Sequence, residues 1–182
     1  GCYGNQVCRT PNLDALAAGG VRFSNAVSNM PICMPARSVL ISGQYNRTCT
    51  GGGGNVCYPS FEGDFHLPEY PFHGRPHLKE ATVAEKLKSQ GYYNSVIGKW
   101  HIHSWPHEVG FDEYTIPRVH HIYSGQMFTE NGETEFPVPG WSVDFELQKA
   151  EKFFEESRNR TEPFFLYYNI SPPHPPIADM PQ

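Results

Sequence analysis

Residues 77–100, HLKEATVAEKLKSQGYYNSVIGKW, carry the change of period that decides the fold class. Val83, Ala84 and Leu87 recur at helical spacing within 77–90, and Gly91 stops the pattern. Directly after it, residues 94–100 form a short run around Val96-Ile97 that reads as a strand. The same alternation extends outward in both directions. Residues 163–170, PFFLYYNI, are apolar or aromatic at nearly every position and predict a strand covered on both faces. They follow the longest helical pattern, 144–160, which sets Phe145, Leu147, Phe153 and Phe154 among charges. Upstream, Thr10 as N-cap and Pro11 at the first helical position open a short helix to Ala18, closed by Gly19-Gly20. Residues 21–27, VRFSNAV, then alternate as a further strand. The expectation is an α/β fold with a mixed, mostly parallel sheet between helices.

The 182 residues suffice for one ordinary domain. Hydrophobic content of 38% and charged content of 18% exclude a disordered or fibrous chain. No apolar run approaches the ~18 residues of a membrane span. A net charge of −5 argues against nucleic acid as a partner. Gly and Pro, 17 of each, concentrate in loops. Residues 48–76 read as one long loop with four consecutive glycines at 51–54, which match neither nucleotide-binding glycine pattern. Residues 118–141 show little periodicity, apart from a candidate hairpin at 127–136 around Asn131-Gly132. Five cysteines, at 2, 8, 33, 49 and 57, have no Cys-x-x-Cys pair, so a structural zinc site is not expected. With Cys33 set apart, the other four allow three disulfide pairings or none. Neither His101/His103 nor His120-His121 has the clustered acids of a transition-metal site.

Residues 31–43, PICMPARSVLISG, concentrate the candidate chemistry. Pro35 favours the first turn of a helix, and Val39, Leu40 and Ile41 anchor that helix. Cys33 would then lie where several free backbone N–H groups and the positive helix end converge. Such a place suits an anion or an activated nucleophile, and Arg37, about one turn on, adds a forked donor. A buried structural Cys beside a surface Arg is the competing description.

Cys33-Met34-Pro35-Ala36-Arg37, closed by Ser42-Gly43, resembles the signature of the type I sulfatases, part of the alkaline phosphatase superfamily. The commonest family form has Ser where this chain has Ala36. Gly98-Lys99-Trp100-His101 is similar to the family's Gly-Lys-Trp-His element, and Ser171 to Pro176 to its Pro-His-x-Pro element. The opening Gly-Cys-Tyr-Gly-Asn and Thr-Pro-Asn-Leu-Asp resemble the stretch before the Cys motif, so the likeness covers essentially the whole chain.

The resemblance implies that a formylglycine-generating enzyme converts Cys33 to formylglycine. The hydrated aldehyde then attacks sulfur, and its second hydroxyl later expels sulfate. In those roles Arg37 stabilises the diol, Lys99 holds the sulfate, His101 orients or deprotonates the diol, and His174 serves the leaving group. Lys99 and His101 lie two apart, so on an extended strand end both would point the same way. The resemblance also implies a divalent cation on position 33, calcium in most relatives, with magnesium or manganese as substitutes. The five Asp residues, 14, 64, 112, 144 and 179, include no adjacent pair and none at a family ligand position. The chain is therefore expected to be an internal piece of the N-terminal catalytic domain. The first strand, the C-terminal portion and the other metal ligands would lie outside it, leaving 1–182 inactive alone. The implied substrate is a small-molecule or carbohydrate sulfate ester, and the implied setting is periplasmic, secreted or lysosomal. A phosphonate or phosphate ester hydrolase of the same superfamily, and a non-catalytic relative with an unmodified Cys33, remain the alternatives.

Overall fold

The computed structural model describes residues 1–49, 78, 80–102, 104–119 and 122–175. Three helices come first: α1 (Pro11–Gly19), α2 (Cys33–Ser42) and the single turn α3 (Asn46–Cys49). Helix α4 (Val83–Lys88) leads into β1 (Tyr93–Gly98), and a 3-10 turn (Pro106–Val109) leads into β2 (Glu113–Pro117). Strands β3 (Ser124–Glu130) and β4 (Phe136–Trp141) precede α5 (Ser142–Ser157) and β5 (Phe164–Asn169). Most of the expected loop at 48–76, with its glycines at 51–54 and Cys57, falls outside the described residues, as do His103 and His120-His121.

Helix α4 begins where the backbone finds partners. The Thr82 hydroxyl accepts from the Glu85 N–H at 3.2 Å, and the Glu85 carboxylate accepts from the Thr82 N–H at 2.8 Å. Two residues before β2, Phe111 closes the core under this helix, while the buried Asn94 amide donates to the carbonyls of Ala84 and Gly110, both at 2.8 Å. Asn94 thus ties α4, β1 and the turn before β2 together through the two N–H groups of its side-chain amide.

The sheet order is β4-β3-β2-β1-β5. Strands β5, β1 and β2 are mutually parallel; β3 reverses direction and β4 reverses again, so four of five strands run the same way. The hairpin between β3 and β4 turns at Asn131 (φ +53) and Gly132 (φ +77), the pair of left-handed residues that a primed turn requires. Successive residues of β1 point to opposite faces. Val96 joins Trp100, Phe111, Tyr114, Ile116 and Tyr167 in a core shared with Ile41 of α2 and Ala84 of α4. Ile97 joins Ala150 and Phe153 of α5 on the other face. The sheet therefore lies between two helical layers.

Three expectations require correction. Residues 21–27 form no strand: Val21, Phe23 and Val27 are exposed, and no described strand pairs with their backbone. Alternation alone cannot sustain a strand without a ladder partner. Strand β5 occupies an edge of the described sheet, so Phe164 and Tyr168 are partly exposed and only Tyr167 is buried. Helix α1 follows its Thr10 cap position, but the Thr10 hydroxyl donates to the Asp14 carboxylate at 3.0 Å instead of capping the backbone. Cys2, Cys8, Cys33 and Cys49 are all free thiols. No helix among the described residues is long and apolar enough to cross a membrane.

Candidate active site

Helix α2 starts at Cys33 because Ile32 is still extended, with φ −126° and ψ 138°. The Ala36 N–H closes the first turn on the Ile32 carbonyl at 2.9 Å. Pro35 has no N–H, so the helix leaves unused the N–H groups of Cys33 and Met34 rather than a larger set. Cys33 itself is half-buried.

Arg37 stands one turn after Cys33 and so shares its side of the helix. Its Nη1 donates to the Lys99 carbonyl at 2.8 Å across 62 residues of sequence, and its guanidinium interacts with the Tyr167 phenol. Burial lowers the Arg37 pKa from its ordinary value, while Tyr167 and the Cys33 thiol pull it back up. Arginine starts so high that Arg37 stays cationic. Burial likewise raises the Tyr167 phenol, and Arg37 counteracts part of that rise.

Strand β1 ends in a bend that only glycine tolerates. Gly98 has φ +82°, and a Cβ there would stand 2.2 Å from the Asn169 carbonyl oxygen. This close approach lets the Lys99 N–H donate to that carbonyl at 2.8 Å. Trp100 is then driven into the core, edge-on to Phe111 at 5.5 Å, with its indole N–H donating to the Ser104 carbonyl at 2.7 Å. His101 takes a left-handed backbone, φ +49°. Lys99 and His101 therefore do not extend a strand, and their expected common direction does not follow from strand alternation. The strand stops at Gly98 because the bend breaks it.

His174 is exposed, in the turn that follows β5. Its Nδ1 donates to the Pro175 carbonyl at 2.6 Å, and its own carbonyl accepts from the buried Tyr123 hydroxyl. Because β1 and β5 are parallel, Lys99, His101 and His174 all follow strand ends on the same sheet edge, where α/β sheets bind ligands. Arg37 bonds to the Lys99 carbonyl and feels Cys33 and Tyr167 electrostatically; His101 and His174 belong to the same edge through the chain. Two fixed cations, a thiol at a helix start and two imidazoles suit an anionic ester.

A calcium shell needs several hard oxygen ligands. No group of three His, Cys, Asp or Glu among the described residues is placed to hold a metal ion. Cys33 alone does not fit that requirement.

Sequence reasoning missed Tyr167, Tyr123 and Glu146. Tyr167 was hidden inside an apolar strand run, and Tyr123 inside a stretch without period. Glu146 had a signal: it lies with Ser142, Ala150 and Phe153 on the buried stripe of α5, where an acid is out of place.

The sulfatase family model matches residues 1–182. An ulvan-active sulfatase of Formosa agariphila is 30% identical over all of this chain and 34% of its own length. Human arylsulfatase A is 30% identical over 97% of this chain and 38% of its own length. Among solved structures, one in complex with its substrate D-glucosamine-2-N,6-O-disulfate superposes with a TM-score of 0.72 at 27% identity, covering 96% of this chain and 31% of that one. The chain thus spans about a third of the length of these relatives.

Proposed function

The chain belongs to the sulfatase family, and from that premise we propose that the protein carrying it hydrolyses sulfate esters of carbohydrates. The observation that carries this reading is the Arg37 contact: it joins the start of α2, with Cys33, to the strand end bearing Lys99. Relatives that act on sulfated sugars favour a carbohydrate over a simple aryl ester.

In this reading Cys33 is oxidised by a formylglycine-generating enzyme, and the hydrated aldehyde supplies the hydroxyl that attacks sulfur. Arg37 serves this group by holding a fixed positive charge one helical turn away. Its bond to the Lys99 carbonyl restrains it, with the Tyr167 phenol in its field, so little reorganisation is needed when negative charge develops. Lys99 supplies a second cation for the sulfate oxygens. His101 orients the attacking hydroxyl, and His174 serves the departing alcohol oxygen. A calcium ion belongs to the same proposal, but its oxygen ligands are not gathered among the described residues. None of these steps is routed through it.

The test is sulfate release from 6-O-sulfated N-acetylglucosamine by the full-length protein matured in its native host. Turnover that disappears in Cys33→Ala supports the reading. Cleavage of a phosphonate ester with no sulfate release contradicts it and favours the phosphonate hydrolase.

A further inference from the structure

Glu146 lies on α5, on the opposite face of the sheet from Arg37, and is 1% exposed. Its Oε2 is buried with no hydrogen-bond partner. Its carboxyl carbon stands 3.2 Å from the point where a Gly98 side chain would begin, beside the Asn169 backbone. Three features of the site meet around this group. The first is the Gly98 bend, which sets Lys99. The second is the Asn169 carbonyl, which receives the Lys99 N–H at 2.8 Å. The third is Tyr123, whose hydroxyl holds the His174 loop and whose own pKa rises in part through Glu146.

Resting on the sulfatase reading, we propose that Glu146 is a positioning residue, an acid kept neutral under the strand ends so that the Gly98–Lys99 bend and the Tyr123 clamp on His174 keep their geometry. An ionised carboxylate here would lie unsolvated beside the Asn169 carbonyl oxygen, which it repels. The cost of ionisation would be relieved by α5 drawing away from the ends of β1 and β5. That movement loosens both the Lys99 bond to Asn169 and the Tyr123 bond to His174. Burial raises the Glu146 carboxyl from 4.5 to about 8, so the transition falls in an accessible range. Tyr123 and Tyr168 are the titratable groups that face it from the strand side, and Lys99 follows Gly98 directly. Burial raises both phenols above their ordinary 10, so neither titrates with Glu146.

The experiment compares pH–rate profiles and pH-dependent melting of the full-length wild type, Glu146→Gln and Glu146→Ala, using the same sulfated sugar. Gln keeps the shape of the neutral acid and cannot ionise. The expected result is that Glu146→Ala lowers kcat roughly tenfold at neutral pH. Glu146→Gln restores most of that loss and moves the alkaline limb upward by about one pH unit or more. Its melting temperature also lacks the fall that the wild type shows between about pH 4.5 and 8. Identical alkaline limbs and identical melting profiles for wild type and Gln overturn the proposal. So does a Gln variant as impaired at neutral pH as the Ala variant. A wild type that releases no sulfate contradicts the functional reading instead. The melting comparison, which needs no substrate, then still decides whether Glu146 is held neutral.

Discussion

Gly98→Ala probes the point where the sheet becomes a site. Two costs follow from the geometry. With φ at +82°, any L-residue enters the left-handed region, at about 1–2 kcal/mol. A Cβ 2.2 Å from the Asn169 oxygen, a backbone atom, must also push β1 and β5 apart, and overpacking of that kind adds about 1–3 kcal/mol. The expected destabilisation is therefore about 2–5 kcal/mol. Gly91 is the natural control, since its φ is +83° but nothing lies within 4 Å of its added Cβ. Gly91→Ala should show the dihedral cost alone. Urea unfolding of both variants gives the two values from shifts in midpoint at constant slope. In the same Gly98→Ala protein, displacement of Lys99 should lower kcat/KM by roughly 10²-fold, while Gly91→Ala leaves it unchanged. Equal destabilisation by the two substitutions would refute the close approach of Gly98 to Asn169. Full activity in Gly98→Ala would refute the claim that this bend positions Lys99.

Tyr167→Phe removes the phenol that steadies Arg37, and kcat should fall roughly tenfold with KM little changed; steady-state kinetics on a sulfated sugar checks this. Thr82→Ala removes both the cap on Glu85 and the hydroxyl bond to the Val109 carbonyl, and should cost about 1–2 kcal/mol in denaturant unfolding without altering kcat. For Glu146 the sign is fixed by the direction of its displacement. The folded protein holds this proton up to about 8, against an ordinary 4.5. Its contribution is fully present below the ordinary value and is lost as pH rises through the folded one. A displacement of that size corresponds to about 5 kcal/mol, which the wild type loses progressively between about pH 4.5 and 8 and Glu146→Gln does not.

The helix-to-strand units around α4–β1 and α5–β5 were legible because each places its apolar residues at one period and ends at a glycine or a polar residue. The hairpin was legible from Asn131-Gly132 alone. Residues 21–27 misled because alternation reports a face and carries no information about a partner strand. The edge position of β5 was hidden for the same reason. At the candidate site, motifs proposed Cys33, Arg37, Lys99, His101 and His174, but how they are placed in the fold was not legible. The Arg37 bond to Lys99 depends on a tertiary crossing of 62 residues, and the bend at Gly98 depends on Asn169 in another strand. Tyr167 and Tyr123 act through hydroxyls that look, in sequence, like parts of apolar or irregular stretches. Glu146 alone announced itself, as an acid on a buried helical stripe.

The central claim is that Cys33 is the precursor of the nucleophile, and its mass tests this most directly. The peptide covering residues 31–47 should be recovered from full-length protein made in its native host and measured intact. Conversion of the thiol to the aldehyde, which ends its thiol reactivity, lowers the peptide mass by about 18 Da. That lighter peptide, with the change localised to position 33, is the expected result. A peptide carrying an unmodified Cys33 throughout, from an enzyme that still releases sulfate, would contradict the account.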